Sequence, residues 1–251
     1  MVNIIQKTYK FGNVLCSRLC SQEQCVCCGN LCFGMPLCKD CKIVLEQEAL
    51  YSVTPRCKIC GKVLLSENEI CMTCRNGTVL KDCDSVFPLC SYKLWKKNLV
   101  FEWKINNRRI LTEVFADLLY ASLCMRFDQK NILAIVPVPP HKGKVRTRGW
   151  DQVEDLCVCL HRKYGLKILH LLENCSFEQQ KKKNFKNRLA RNNAFILSDN
   201  IIKLKKNHEI PEEVLLLDDV ITTGATINAC SKVLKQSEII KVNGVSIFIV
   251  D

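Results

Sequence analysis

The chain has 251 residues, of which 48% are hydrophobic and 25% charged, and carries a formal net charge of +12. Such values suit a globular protein of one large domain, or of a medium domain with a small one, and no apolar run approaches the ~18 residues of a membrane-spanning helix. The basic surplus attracts polyanions, but charge alone does not separate nucleic acid from a nucleotide phosphate.

The N-terminal stretch MVNIIQKTYKFGNVLC is broken by Lys7, Tyr9 and Lys10 before a signal-peptide core can form. A cytoplasmic chain with reduced thiols is the expectation. That matters because the chain has 19 cysteines, 14 of them at or before Cys90. In a reducing compartment such a concentration points to metal ligands rather than disulfides.

Four C-x-x-C pairs follow in order: Cys25/Cys28, Cys38/Cys41, Cys57/Cys60 and Cys71/Cys74. Two carry a glycine directly after the second cysteine, Gly29 and Gly61, as a tight knuckle with positive φ requires. Four thiolates in a tetrahedron at ~2.3 Å make a closed structural zinc site with no position open for catalysis. Sequential pairing gives one site on Cys25, Cys28, Cys38 and Cys41 and another on Cys57, Cys60, Cys71 and Cys74. A crossed pairing fits the spacing as well, and Cys16, Cys20, Cys27 and Cys32 offer substitutes. After the second pair, KDCKIVLEQEALY reads as a helix on Ile43, Leu45, Ala49 and Leu50. A module of this kind serves as a stiff platform for protein or nucleic-acid contact.

Asp84 and Pro88 in CDSVFPLCSYKLWKKN suggest a turn-rich passage, and the expected division is a Cys-rich module at 1–85 and a larger domain at 86–251. In ILTEVFADLLYASLCM, apolar residues at 110, 111, 114, 115, 118, 119 and 123 follow the helical period, with Glu113 and Asp117 on another face. Tyr92, Trp95, Trp103 and Lys104 suit packing at a domain joint or stacking on a base.

NILAIVPVP (131–139), VLLLDDV (214–220) and VNGVSIFIV (242–250) read as buried strands, and TINACSKVLKQ between the last two reads as a helix. Strand, loop, helix, strand is a βαβ unit with parallel strands. Continuous rather than alternating apolar strands imply a sheet with helices on both faces. Ligands bind at the carboxyl ends of such strands, where Asp218 and Asp219 fall. Two carboxylates can accept from the vicinal hydroxyls of a ribose. Thr222, Thr223, Gly224, Ala225 and Thr226 then offer hydroxyls and backbone N–H groups at a helix N-terminus, where a phosphate is favoured. The alternative is a turn with an N-cap, which asks for far less than an acid pair followed by TTGAT.

VLLLDDVITTGAT resembles the phosphoribosyl-pyrophosphate loop of type I phosphoribosyltransferases. The four C-x-x-C pairs, FEWKINNRRILTEVFADLL and VPVPPHKGKVRTRGWDQ are similar, in that order along the chain, to segments of the ComF family of competence-associated proteins. The resemblance implies a type I phosphoribosyltransferase-like α/β domain behind a zinc module. It also implies Asp218 and Asp219 as catalytic or ribose-holding acids, Thr222–Thr226 on the 5-phosphate, and His141 and Arg148 beside the pyrophosphate with Mg²⁺. Trp150 and Asp151 stand where the family has Phe and Asn. ENCSFEQQKKKNFKNRLARNNAF corresponds to the closing segment but lacks its Arg-Thr pair. The basic runs Lys142–Arg148 and Lys181–Arg191 suit a diphosphate or a DNA backbone. The implied function is binding of phosphoribosyl pyrophosphate in the handling of single-stranded DNA with competence-machinery proteins. The alternatives are an active phosphoribosyltransferase, or a zinc-ribbon nucleic-acid binder whose sugar-phosphate site is vestigial.

Overall fold

The computed structural model describes residues 22–51, 55–77, 80–127, 132–140, 149–175 and 194–250. His141, Arg148 and the basic run between them lie outside the described residues, as do Cys16, Cys20 and the stretch 176–193.

A four-stranded sheet forms the centre of the protein. Its strands are β3 (Ser85–Ser91), β4 (Ala134–Pro137), β7 (Glu213–Ile221) and β8 (Lys241–Ile249), in the order β3-β8-β7-β4. All three pairings are parallel. The apolar runs read from the sequence supply β4, β7 and β8, while β3 was expected to be a turn. Pro88 misled that reading. It lacks an N–H, so a strand can carry it only at a sheet edge, which is where β3 lies.

The faces are covered by different helices, as an apolar strand buried on both sides requires. On one face, α3 (Lys96–Lys104), α4 (Leu111–Arg126) and α5 (Gln152–Tyr164) bury Trp103, Phe115 and Leu156 with Leu215 and Leu217 of β7. Here Trp103 and Phe115 meet edge to face at 4.8 Å, and Phe115 meets Phe248 at 5.5 Å. Six of the seven predicted positions of α4, Leu111, Val114, Phe115, Leu118, Leu119 and Leu123, are buried, while Ile110 stands just before the helix and is half-buried. On the other face, α7 (Ala225–Leu234) sets Ile227, Cys230, Val233 and Leu234 against Val214, Leu216 and Val242. Beside α7 stand the short antiparallel pair β5 (Leu172–Asn174) and β6 (Phe195–Leu197) and the helix α6 (Asn200–Lys206). Among the described residues, no helix is long and apolar enough to cross a membrane.

The cysteine-rich part begins with a small hairpin, β1 (Gln22–Gln24) and β2 (Leu31–Phe33), followed by α1 (Lys39–Tyr51). Helix α1 forms where expected, but Ile43 is exposed, because only one stripe of so short a helix meets the domain and Leu45 occupies it. Cys25, Cys32, Leu37 and Leu45 belong to the same buried cluster as Phe115, so this part shares a core with the sheet. A buried Lys96 paired with Glu48 fastens α1 to α3. The second part, ending in the single turn α2 (Met72–Arg75), has a very small core of Cys57, Leu64 and Cys71. It docks through Gly61, where an added Cβ would stand 2.3 Å from Pro88 Cδ and 2.8 Å from the Val86 carbonyl oxygen.

Candidate functional site

Strand β7 outruns its neighbour. Pairing with β4 ends at Pro137–Leu217, and the Val138 amide donates to the Leu217 carbonyl at 2.9 Å. From Asp218 to Ile221 the strand continues along β8 alone. The carboxyl end of a parallel sheet is where ligands of open α/β proteins bind, and Asp218 and Asp219 lie there on β7.

Neighbours on a strand point to opposite faces, and the two acids have different surroundings. Asp219 meets Lys104, the last residue of α3, with Nζ 2.6 Å from Oδ2 and both side chains 16% exposed. Sequence reading gave Lys104 no role of this kind; its place at the end of the Trp103 helix was the available signal. Asp218 turns Oδ1 back onto the Asp219 amide at 2.8 Å. Burial, then the neighbouring Asp219 charge, push the Asp218 carboxyl up to about 7, against the pull of the Asp219 amide and Lys104. One acid is therefore charge-paired, and the other holds its proton far longer than an exposed carboxyl would.

The turn after the acids is open to solvent. Thr222, Thr223, Ala225 and Thr226 are exposed, and only Gly224 is buried. Gly224 stands at φ +81° as the residue before α7, a conformation that glycine adopts without strain. Thr223 Oγ1 accepts from the Ala225 amide at 3.3 Å, and Asn228 N–H closes the first helical turn on the Gly224 carbonyl at 2.9 Å. Along the chain, hydroxyls and a helix N-terminus thus follow directly on two carboxylates, a donor set for an anion after an acceptor set for hydroxyls.

Trp150 and Asp151 stand at the start of α5. Trp150 is buried, edge-on to Trp103 at 6.3 Å, and the Arg109 guanidinium lies 5.1 Å from its ring centre. Arg109 also grips Asp155 of α5 through two bonds of 2.8 Å. Asp151 caps α5, accepting from the Val153 amide at 2.9 Å. Burial raises its carboxyl, as do the Asp219 and Glu154 charges, while the capping amides pull the other way. The tryptophans therefore pack, and Asp151 serves a helix terminus. His141 and Arg148, expected beside a pyrophosphate, lie outside the described residues.

The eight cysteines sort into the sequential pairing. Within Cys25, Cys28, Cys38 and Cys41, and within Cys57, Cys60, Cys71 and Cys74, the ligand atoms all lie within 4.8 Å of one another. The Cys28–Cys38 and Cys60–Cys71 sulfurs are 3.6 Å and 3.7 Å apart, and a zinc tetrahedron with ~2.3 Å bonds has edges of about 3.8 Å. Knuckle geometry follows, with Gly29 at φ +76° and Gly61 at φ +72°. Burial opposes ionisation of Cys57, but the amides of Cys60, Cys71 and Ile59 outweigh it and bring the thiol down to about 7. Cys25 comes down to about 6 in the same way, against burial, through the amides of Cys38, Cys28 and Cys27. Both quartets fit zinc in size and ligand chemistry, and a bound ion would supply a structural cross-link.

Fold and site together define an α/β protein with a parallel sheet between helices, an acid-and-threonine site at the carboxyl end of its central strand β7, and two four-cysteine clusters. No family model matches the sequence. The chain is 27% identical over 203 residues to "Competence protein ComFC" of Streptococcus pneumoniae, covering 80% of this chain and 82% of that one. It is 26% identical over 187 residues to "Competence protein ComFC" of Bacillus subtilis, covering 72% and 71%. It is 28% identical over 217 residues to "Competence protein F" of Haemophilus influenzae, covering 84% and 89%. The chain is thus similar over most of its length to competence proteins of three bacteria.

Proposed function

We propose that the protein binds phosphoribosyl pyrophosphate with Mg²⁺ at the carboxyl end of β7, beyond Leu217, and that it acts in the handling of single-stranded DNA during natural transformation. The observation that carries the ligand is the run from Asp218 and Asp219 into the exposed Thr222–Thr226 turn at the start of α7. Asp218 and Asp219 are the ribose-side acids and the Mg²⁺-facing charges, and the turn takes the 5-phosphate. Lys104 accompanies them: it neutralises Asp219 and stands ready to exchange that partner for an anionic oxygen of the ligand. The competence role is supported by the three relatives, whose names state it of those proteins. The net charge of +12 suits a polyanionic partner.

Calorimetry with phosphoribosyl pyrophosphate and Mg²⁺ tests the ligand. Heat of binding is expected for the wild type and its loss for the double variant Asp218→Asn/Asp219→Asn. A wild type that binds nothing removes the reading. Release of pyrophosphate only on addition of a nitrogenous base would convert it into an active transferase.

A further inference from the structure

The quartet at 57, 60, 71 and 74 and the turn at 222–226 come from distant parts of the sequence, yet a short strap of chain connects them. Leu80, six residues after Cys74, is buried against the turn, with Cδ2 3.0 Å from where a Cβ on Gly224 would stand. Two residues on, the Asp82 amide donates to Asn228 Oδ1 at 2.8 Å, and Asn228 Nδ2 donates back to Asp82 Oδ2 at 3.2 Å. Asn228 lies in the first turn of α7, and its own amide holds the Gly224 carbonyl. Asp84 completes the fastening. Its Oδ2 accepts from the Val242 amide at 2.8 Å and pairs with Lys235, just past the end of α7, at 2.9 Å. Five residues of strap thus hold α7 at both ends and support the glycine from which the turn pivots.

We propose that the strap Leu80–Asp84 positions the 222–226 turn, and that metal held by the second quartet is felt at the sugar-phosphate site through it. Leu80, Asp82 and Asn228 are positioning residues that act through Gly224 and the first turn of α7. The upstream anchor of the strap exists only while the quartet is ordered. That part buries little besides Cys57, Leu64 and Cys71, too small an apolar core to hold without a cross-link. A link of six residues reaches at most ~21 Å, so loosening the quartet frees the strap close to its contact with Gly224. The effect on ligand binding rests on the function proposed above; the effect on the turn itself does not.

Hydrogen exchange on the full chain, with the amides of β8 as reference for global opening, separates the two. Asn228→Ala and Cys74→Ser are expected to speed exchange at 224–228 by about tenfold relative to β8, the scale of two lost hydrogen bonds. Asp82→Asn keeps the acceptor oxygen and is expected to exchange as the wild type does. Should Cys74→Ser not fold, a four-residue Gly-Ser insertion between Gly77 and Leu80 loosens the tether with both quartets intact, and the same acceleration is expected. Unchanged exchange in the insertion variant, or equal acceleration in Asp82→Asn and Asn228→Ala, overturns the proposal. Binding of phosphoribosyl pyrophosphate with Mg²⁺ is the second readout, with about tenfold weaker affinity expected for Asn228→Ala. A wild type that gives no heat would sink the proposed ligand and leave the exchange result to decide the strap.

Discussion

Lys104 Nζ stands 2.6 Å from Asp219 Oδ2, joining the last residue of α3 to the acid pair on β7. The contact gives the carboxyl end of the sheet an internal counter-ion. Asp219 has a cationic partner in contact, while Asp218 has only amide and longer-range support.

Breaking that pair from the cationic side leaves a mostly buried carboxylate with no partner. Lys104→Met is expected to destabilise the fold by about 2 kcal/mol, whereas Lys104→Met with Asp219→Asn recovers most of the loss. Urea denaturation of the two single variants and the double variant measures the coupling. Additive losses would mean that the contact contributes nothing.

The raised carboxyl of Asp218 sets a pH dependence with a definite sign. Its value moves from 3.8 to about 7 on folding, so between those limits the folded chain holds a proton that the unfolded chain has released. Stability from this group is complete below pH ~4, falls as pH climbs toward 7, and is level beyond. Asp218→Asn is therefore expected to be more stable than the wild type by about 1–3 kcal/mol at pH 8, with the gap closing near pH 4. Thermal melts at pH 4, 6 and 8 follow it, and the same variant is expected to lose ligand binding, as sites that trade stability for function do.

The two knuckle glycines should respond differently to one substitution. Both have positive φ, but a Cβ on Gly29 meets nothing within 4 Å, while one on Gly61 runs into Pro88 and the Val86 carbonyl. Gly29→Ala is expected to cost about 1 kcal/mol of backbone strain. Gly61→Ala adds a clash that undocks the second quartet from β3, for about 3 kcal/mol or more. Equal melting temperatures for the two variants would contradict the docking contact.

Metal analysis of the purified chain checks the quartets directly. Two zinc ions per chain are expected from the two clusters, falling to one in Cys28→Ser and to one in Cys60→Ser. Exhaustive chelation is expected to lower the melting temperature, since each closed site contributes folding energy.

The sequence carried the sheet well where the strands were continuous apolar runs. Leu215, Leu216 and Leu217 could not be satisfied by one covered face, and the structure buries them against both. The α4 stripe was equally clear, because its period is local. What escaped was whatever depended on a partner far along the chain. Pro88 spoke against a strand until β8 supplied the edge position. Ile43 looked like core, but the tertiary packing of α1 chose Leu45. Beyond its place at the end of the Trp103 helix, Lys104 carried no mark of its bond to Asp219, and Asn228 gave no sign of its bond to Asp82. The cysteine pairing was ambiguous for the same reason, since spacing fixes each C-x-x-C pair while only folding decides which two share a site.

Outer strands are where sheets recruit other molecules, and β3 is an outer strand of the central sheet. Its rim is shut by the imino ring of Pro88 and by the thiol-bearing knuckle at Gly61 seated on that ring. The lid on this rim is thus itself held together by zinc-type ligands. Without the knuckle, only the missing N–H of Pro88 would blunt this edge against pairing with a second copy of the chain.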